Sequence, residues 1–225
     1  LDLIPRVADV RKAIKRKYNN KDFIIDKSGV KMIELLGTSF IADEDYIIRE
    51  PNFDYTEREI RWYESKSLNV YDIPGKVPEI WKQVSDKDGN INSNYGYLVH
   101  SDENGNQFLN CIRELKKNPN SRRAIMIYNR PSMHVDYNKD GMSDFICTMF
   151  NSFYIRNNRL YSIYSMRSND SVFGYCNDKI WASYIFEKVY RVLKETYRNL
   201  IQGDIIWQAA SLHVYERHFK FIEKL

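Results

Sequence analysis

Several groups of residues have types and spacings that could do chemistry. Cys147, in Asp144-Phe-Ile-Cys-Thr148, is a strong nucleophile once deprotonated. A free thiol titrates near about 8.5, so a neighbouring cation is needed to hold the thiolate at neutral pH. Glu59, in Glu59-Ile-Arg-Trp-Tyr63, stands one turn from a Trp/Tyr pair. In an apolar pocket its carboxyl would rise towards general acid/base use. Ser121-Arg-Arg123 supplies adjacent guanidiniums suited to gripping a phosphate in bidentate fashion. Met166-Arg-Ser-Asn-Asp170 and Phe173-Gly-Tyr-Cys-Asn-Asp178 gather an arginine, a hydroxyl, amides and carboxylates into a segment that reads as a loop. His213 and Tyr215 are two apart on a strand, so they face one way. Each group also has an ordinary structural explanation: a small core cysteine, an exposed helix carboxylate, surface charges, cap chemistry, a packed imidazole. None decides a function alone.

The elements that must position these residues can be read from periodicity. Apolar residues at 3, 7, 10 and 14 predict a helix over 3–17. Residues 30–48 read as one or two strands, 55–65 as a helix, and 66–96 as loop-rich with a short helix near Ile80-Trp81. Asn104, with Gln107 three residues on, reads as the cap of a helix running to about 117. Strands are expected at 124–128, 145–156 and 160–166, the last two joined by an Asn157-Asn158 turn. Apolar positions 181, 185, 189 and 193 mark a long helix over 180–200, ended by Gly203. A strand over 205–215 and a helix from about 216 complete the reading. Strands and helices do not alternate regularly, which argues α+β rather than a doubly wound sheet. No GxGxxG or P-loop occurs, so a nucleotide would be held by side chains.

Composition narrows the class. The 225 residues are 43% hydrophobic and include 17 Tyr, a globular profile rich in rings that carry hydroxyls. A net charge of +4 suits small anions and is too weak for a nucleic-acid coat. The cysteines at 111, 147 and 176 have no CxxC spacing, and with 4 His no metal cluster or disulfide framework is expected. A reducing cytoplasm is the expected setting. No apolar run is long enough to predict a membrane-spanning helix.

Taken in order, these segments resemble the thymidylate synthase superfamily. The similar elements are Asp26-Lys-Ser-Gly29, Glu59 before Trp62-Tyr63, Ile80-Trp81, Asn94-Tyr-Gly96 and Ser121-Arg-Arg123. Next come the Cys147 strand, Arg167-Ser168 with Asp170, Gly174 and Asp178, and finally His213-Val-Tyr215. Within the superfamily, Lys66-Ser-Leu, Ile91-Asn-Ser-Asn-Tyr-Gly96, Arg130-Pro-Ser-Met133 and the runs from Asp136 to Asp144 and Met166 to Asp170 are most similar to the bacteriophage deoxycytidylate hydroxymethylases. The resemblance spans nearly the whole chain. It implies one α+β catalytic domain over residues 1–225, with a large mixed sheet packed by helices and a sheet face used for dimerisation.

The resemblance also implies roles. Cys147 adds to C6 of a pyrimidine, and Arg167 favours its thiolate. Arg167 and Ser168 hold the 5′-phosphate, joined by Arg122 and Arg123 from the second subunit of a homodimer. Lys27 stands where synthases carry an arginine for the same phosphate. Asn169 and Asp170 belong to the substrate-binding set, His213 and Tyr215 bind the sugar hydroxyl, and Trp81, Asp170 and Gly174 line a site for 5,10-methylenetetrahydrofolate. Glu59 manages water and protons near C5. The sequence departs from the synthase pattern at Thr148 (His in synthases), at Cys176 (usually Pro), and in two residues gained between Asp178 and Ala182-Ser-Tyr184. A site-closing C-terminal tail is expected beyond Leu225, and a natural start before Leu1.

Four residues after Gly174 stands Asp178, where synthases place Asn; a shift of one position would make Asn177 the base reader instead. Uracil offers an N3–H donor and an O4 acceptor, which an amide can answer. Cytosine offers an amino donor and an N3 acceptor. An ionised Asp accepts from the amino group, and from N3 once it is protonated during attack at C6. Cytosine is therefore the expected base, and hydroxymethylation of dCMP, with Glu59 ordering the water, is the reaction the resemblance implies. The alternatives are a dUMP-using synthase or hydroxymethylase, a CMP hydroxymethylase, and a non-catalytic nucleotide- or RNA-binding relative.

Overall fold

The structure, a computed structural model, describes residues 3–225. Helix α1 (Val7–Asn19) buries Val7, Val10 and Ile14, the apolar stripe the sequence displays. Strands β1 (Ile24–Ile25) and β2 (Lys31–Ile41) follow, then α2 (Phe53–Ser65), α3 (Glu79–Val84) and α4 (Tyr95–His100). The central part holds α5 (Gln107–Lys117), β3 (Ile125–Ile127), α6 (Met133–Asp136), β4 (Thr148–Arg156), β5 (Arg159–Met166) and β6 (Asn169–Asp170). Helix α7 (Gly174–Thr196), strand β7 (Ile201–Tyr215) and α8 (Phe219–Ile222) complete the chain.

The 7 strands form one sheet in the order β1-β2-β7-β5-β4-β3, with β6 paired to β7. The β5–β7 and β6–β7 pairs are parallel and the others antiparallel. This is the mixed α+β sheet expected from the sequence. Asn157 and Asn158 both have positive φ, the geometry of a two-residue turn whose twist suits the β4–β5 hairpin. Trp181, Ile185, Val189 and Leu193 of α7 are all buried, and Tyr164 and Trp207 are buried on the sheet. Their opposite neighbours Ile163 and Ile206 remain half-exposed.

Several boundaries differ from the sequence reading: α1 starts at Val7, β4 at Thr148 and β7 at Ile201, α7 ends at Thr196, and four further differences have a local cause. Helix α7 starts at Gly174 rather than 180. The Asp170 carboxylate accepts from the backbone N–H groups of Phe173 at 2.9 Å, Val172 at 3.3 Å and Gly174 at 3.4 Å, and so starts the helix within a polar stretch. Gly203 does not end that helix; it lies inside β7, where a Cβ would stand 2.5 Å from the Leu160 carbonyl oxygen. Close strand approach explains this glycine. The cap of α5 is Asn106, not Asn104, with its side chain accepting from Leu109 N–H. Gln107 instead ties α5 to β3, donating to the Ile127 carbonyl at 2.7 Å and accepting from Ile127 N–H at 2.7 Å. Strand β2 ends at Ile41, and residues 42–48 cross α1, held by the Arg11 guanidinium on Glu44 and on the Ile47 carbonyl.

Candidate active site

Cys147 immediately precedes β4, and Arg167 immediately follows β5, so the hairpin brings them side by side. The backbone joins them, with Arg167 N–H donating to the Cys147 carbonyl at 2.9 Å. The guanidinium donates to the carbonyls of Ile146 at 3.0 Å and Phe145 at 2.7 Å and lies over the Phe145 ring. Its Nη2 stands 3.6 Å from Cys147 Sγ. A register shift between Thr148 and Phe150 marks an irregularity in the strand beside the thiol; such bulges re-aim neighbouring side chains. Burial pushes the Cys147 thiol up to about 11, and Arg167 pulls it back.

The thiol and Arg167 line an open cavity of about 670 Å³ whose walls include Lys27, Trp81, Tyr95 and His134. Two carboxyl groups, Glu59 on α2 and Asp178 on α7, lie behind its Trp81 and Tyr95 walls. Glu59 is 6% exposed and accepts from the Tyr55 hydroxyl; Trp81 Nε1 stands 3.3 Å from it and 2.9 Å from that hydroxyl. Burial raises its carboxyl to about 7. Trp81 therefore links Glu59 to the cavity wall. Asp178 accepts from Asn169 Nδ2 at 2.9 Å. Burial, then the charge of Glu59, holds its carboxyl well above the usual range. Tyr95 senses the charges of both Asp178 and Cys147, so thiol and carboxyl share one neighbourhood. The adjacent Asn177 instead meets the Cys176 thiol at 3.7 Å.

The other predicted residues divide into those near this array and those outside it. Gly174 opens α7 against Asn169 and Asp170, where a Cβ would stand 3.3 Å from Asn169 Nδ2. Asn169 is buried, Ser168 is partly exposed between it and Arg167, and Asp170 pairs with His213 across β6 and β7. His213 is buried beside Ser211 Oγ at 3.4 Å, edge-on to the Tyr215 ring at 4.9 Å, and burial lowers its pKa. Arg122 and Arg123 lie elsewhere: both are exposed before β3, and Arg123 pairs with Glu114 at 3.2 Å. Within one chain neither lines the cavity. Among the described residues no group of three His, Cys, Asp or Glu could hold a metal ion, and no helix is long and apolar enough to cross a membrane.

Sequence reasoning assigned no role to Tyr95 or Asp144. Asp144 accepts from Asn92 N–H at 2.7 Å, Ser93 N–H at 2.8 Å and Ser93 Oγ at 2.7 Å, pinning the segment before α4 to the Cys147 segment. Gly96 carries the overlooked signal for Tyr95. A Cβ there would stand 1.7 Å from the Tyr63 carbonyl oxygen, so only glycine lets α4 press Tyr95 against α2.

A half-buried thiol beside an arginine, in a cavity whose Trp81 and Tyr95 walls adjoin the carboxyl groups of Glu59 and Asp178, forms a candidate enzyme site on a mixed α+β sheet. Residues 46–225 match the thymidylate synthase family model, and the chain belongs to that family of one-carbon transferases. It is 48% identical over 219 residues, 96% of this chain and 89% of the relative, to the deoxycytidylate 5-hydroxymethyltransferase of Enterobacteria phage T4, and equally so to that of phage T6. It is 28% identical over 172 residues, 75% of this chain and 59% of the relative, to the thymidylate synthase of Fusobacterium nucleatum.

Proposed function

We propose that the chain is a deoxycytidylate 5-hydroxymethyltransferase. It transfers a one-carbon unit from 5,10-methylenetetrahydrofolate to C5 of dCMP and hydrates it, giving 5-hydroxymethyl-dCMP and tetrahydrofolate. The observation that carries the reading is Asp178, a carboxyl group where an amide would suit uracil, held in the same array as Cys147. The 48% identity to the phage hydroxymethyltransferases supports it.

The raised carboxyl of Asp178 refines the expectation of an ionised base reader. A neutral carboxylic acid presents one donor and one acceptor, the complement of cytosine N3 and the N4 amino group. Cys147 Sγ, deprotonated beside Arg167, bonds to C6, and the displaced π electrons move towards N3. The Asp178 proton passes to N3, leaving a carboxylate that accepts from both N3–H and N4–H. That contact strengthens as the reaction proceeds. The folate supplies an electrophilic methylene for C5. Trp81 and the exposed Ile80 give the cavity a flat apolar wall suited to its fused rings. Glu59, near neutrality in its titration, takes and returns protons near C5 and orders the water that becomes the hydroxyl. Cys147 then leaves C6.

Arg167, Ser168 and Lys27 hold the 5′-phosphate, with His213 and Tyr215 at the sugar. Arg122 and Arg123 complete the phosphate site from the second subunit of a homodimer. Their exposure, and their absence from the cavity lining of their own chain, fit that arrangement. The phage origin of the similar hydroxymethyltransferases supports action in a host cytoplasm. The test is tritium release from [5-³H]dCMP, [5-³H]dUMP and [5-³H]CMP with methylenetetrahydrofolate, with the products identified by mass. Release from dCMP and formation of 5-hydroxymethyl-dCMP are expected; a methylated product or preferential turnover of dUMP or CMP would overturn the reading.

A further inference from the structure

Behind Asp178 lies a pair of hydrogen bonds that fixes one amide. Trp207 Nε1 donates to Asn169 Oδ1 at 3.2 Å, and Asn169 Nδ2 donates to Asp178 Oδ2 at 2.9 Å. An indole N–H can only donate, so the amide oxygen must face Trp207 and the amide nitrogen must face Asp178. Trp207 is fully buried, stacked on Tyr164 at 4.6 Å and edge-on to Tyr175 at 5.0 Å, which holds its ring in place. Asn169 is 2% exposed, and its amide spans these two partners. Gly174 leaves room over the Asn169–Asp178 contact, since a Cβ there would stand 3.3 Å from Nδ2 and 3.9 Å from Oδ2.

We propose that Asn169 is a positioning residue for cytosine chemistry: anchored by Trp207, it orients the Asp178 carboxyl and stabilises the negative charge left there when the proton passes to N3. This inference rests on the base-reading role proposed above for Asp178. The proton leaves the carboxyl oxygen, N3 receives it, and the electron pair stays on the carboxylate. A hydrogen bond to an ionised acceptor is about twice as strong as one to a neutral acceptor. The Asn169 contact therefore contributes more after proton transfer than before it, and accelerates the step. With an amide at position 178 and uracil as the base, no charge develops there and the contribution vanishes.

The test measures kcat and KM by tritium release in Asn169→Leu, Asp178→Asn, the double variant and Trp207→Phe. Asn169→Leu is nearly isosteric and lacks the donor; kcat for dCMP should fall roughly 10- to 100-fold, with KM changed far less. Asp178→Asn should move turnover towards dUMP, and adding Asn169→Leu to it should leave kcat for dUMP nearly unaltered. Trp207→Phe keeps a ring in the stack but loses the N–H, and should reproduce part of the dCMP loss. It carries the same expectation if Asn169→Leu does not fold. Parallel losses on dCMP in the native background and on dUMP in the Asp178→Asn background would reduce Asn169 to a packing role and overturn the proposal. A shift to dUMP in Asp178→Asn, with full dCMP turnover in Asn169→Leu and Trp207→Phe, would remove only the Asn169 link. Unchanged cytosine preference in Asp178→Asn would remove the base-reading role itself.

Discussion

A thiol held near 11 by burial is a weak nucleophile at neutral pH, and the Arg167 guanidinium at 3.6 Å is the cation that opposes that burial. Cys147→Ser keeps the shape of the cavity and removes the sulfur. Turnover should disappear while dCMP binding by equilibrium dialysis changes only a few-fold; retained turnover would take Cys147 out of the mechanism. Glu59 makes a separate prediction through stability. Its folded carboxyl titrates near about 7 and its unfolded one near about 4.5, because burial disfavours the charge. The folded state therefore holds a proton that the unfolded state has lost across this window, and stability falls as pH rises through it. The Glu59 contribution to that fall is on the order of 3 kcal/mol. Denaturant titrations at pH 4.5 and 7 should show a smaller loss in Glu59→Gln than in the unaltered protein. The apolar setting of Glu59 was legible from its Trp/Tyr neighbours. The Asn169–Trp207 bond was not, because its partners lie 38 residues apart and meet only when β5 and β6 both pair with β7.

Element positions were legible where periodicity was unbroken and illegible where a side chain from elsewhere set the boundary. The stripe at 181, 185, 189 and 193 gave the body of α7, but its polar first turns belong to the helix because Asp170 caps them. Gly203 looked like a helix stop because its sequence neighbours do not reveal the Leu160 carbonyl packed against it. Gly96 shows how an element sets the site. Its bare Cα lets α4 sit against the α2 backbone, and that contact stacks Tyr95 on Tyr63 and sets Tyr95 beside Asp178. Gly96→Ala should force the helices apart. Unfolding free energy from urea titration should drop by about 3 kcal/mol, and cytosine turnover should fall with it. An unchanged midpoint and slope would show that the contact yields easily.

At the scale of the molecule, one sheet presents its buried face to the helices and leaves Ile163 and Ile206 half-exposed on the other. The exposed Ile125 and Ile127 of β3 add apolar surface near the segment bearing Arg122 and Arg123. A homodimer formed through the sheet would cover apolar surface and deliver those arginines to the partner site. Mixing inactive Cys147→Ser with an inactive Arg122→Glu/Arg123→Glu variant, after subunit exchange, should restore partial activity, since a mixed dimer holds one intact site. No recovery, with exchange verified by mass, would count against shared sites. The mixed α+β class was legible from the irregular order of strands and helices; the strand order β2-β7-β5 was not, because it depends on contacts between distant segments.

The chemistry begins with Cys147 bonding to the ring of a cytosine nucleotide, and the most direct measurement traps that bond. 5-Fluoro-dCMP lacks the C5 hydrogen that must leave, so incubation with methylenetetrahydrofolate should stall turnover with protein, nucleotide and folate covalently joined. Mass spectrometry of the digested protein is predicted to find the added mass on the peptide containing Cys147, with far less trapping by 5-fluoro-dUMP. An unmodified Cys147, an adduct on Cys111 or Cys176, or preferential trapping by the uracil analogue would contradict it.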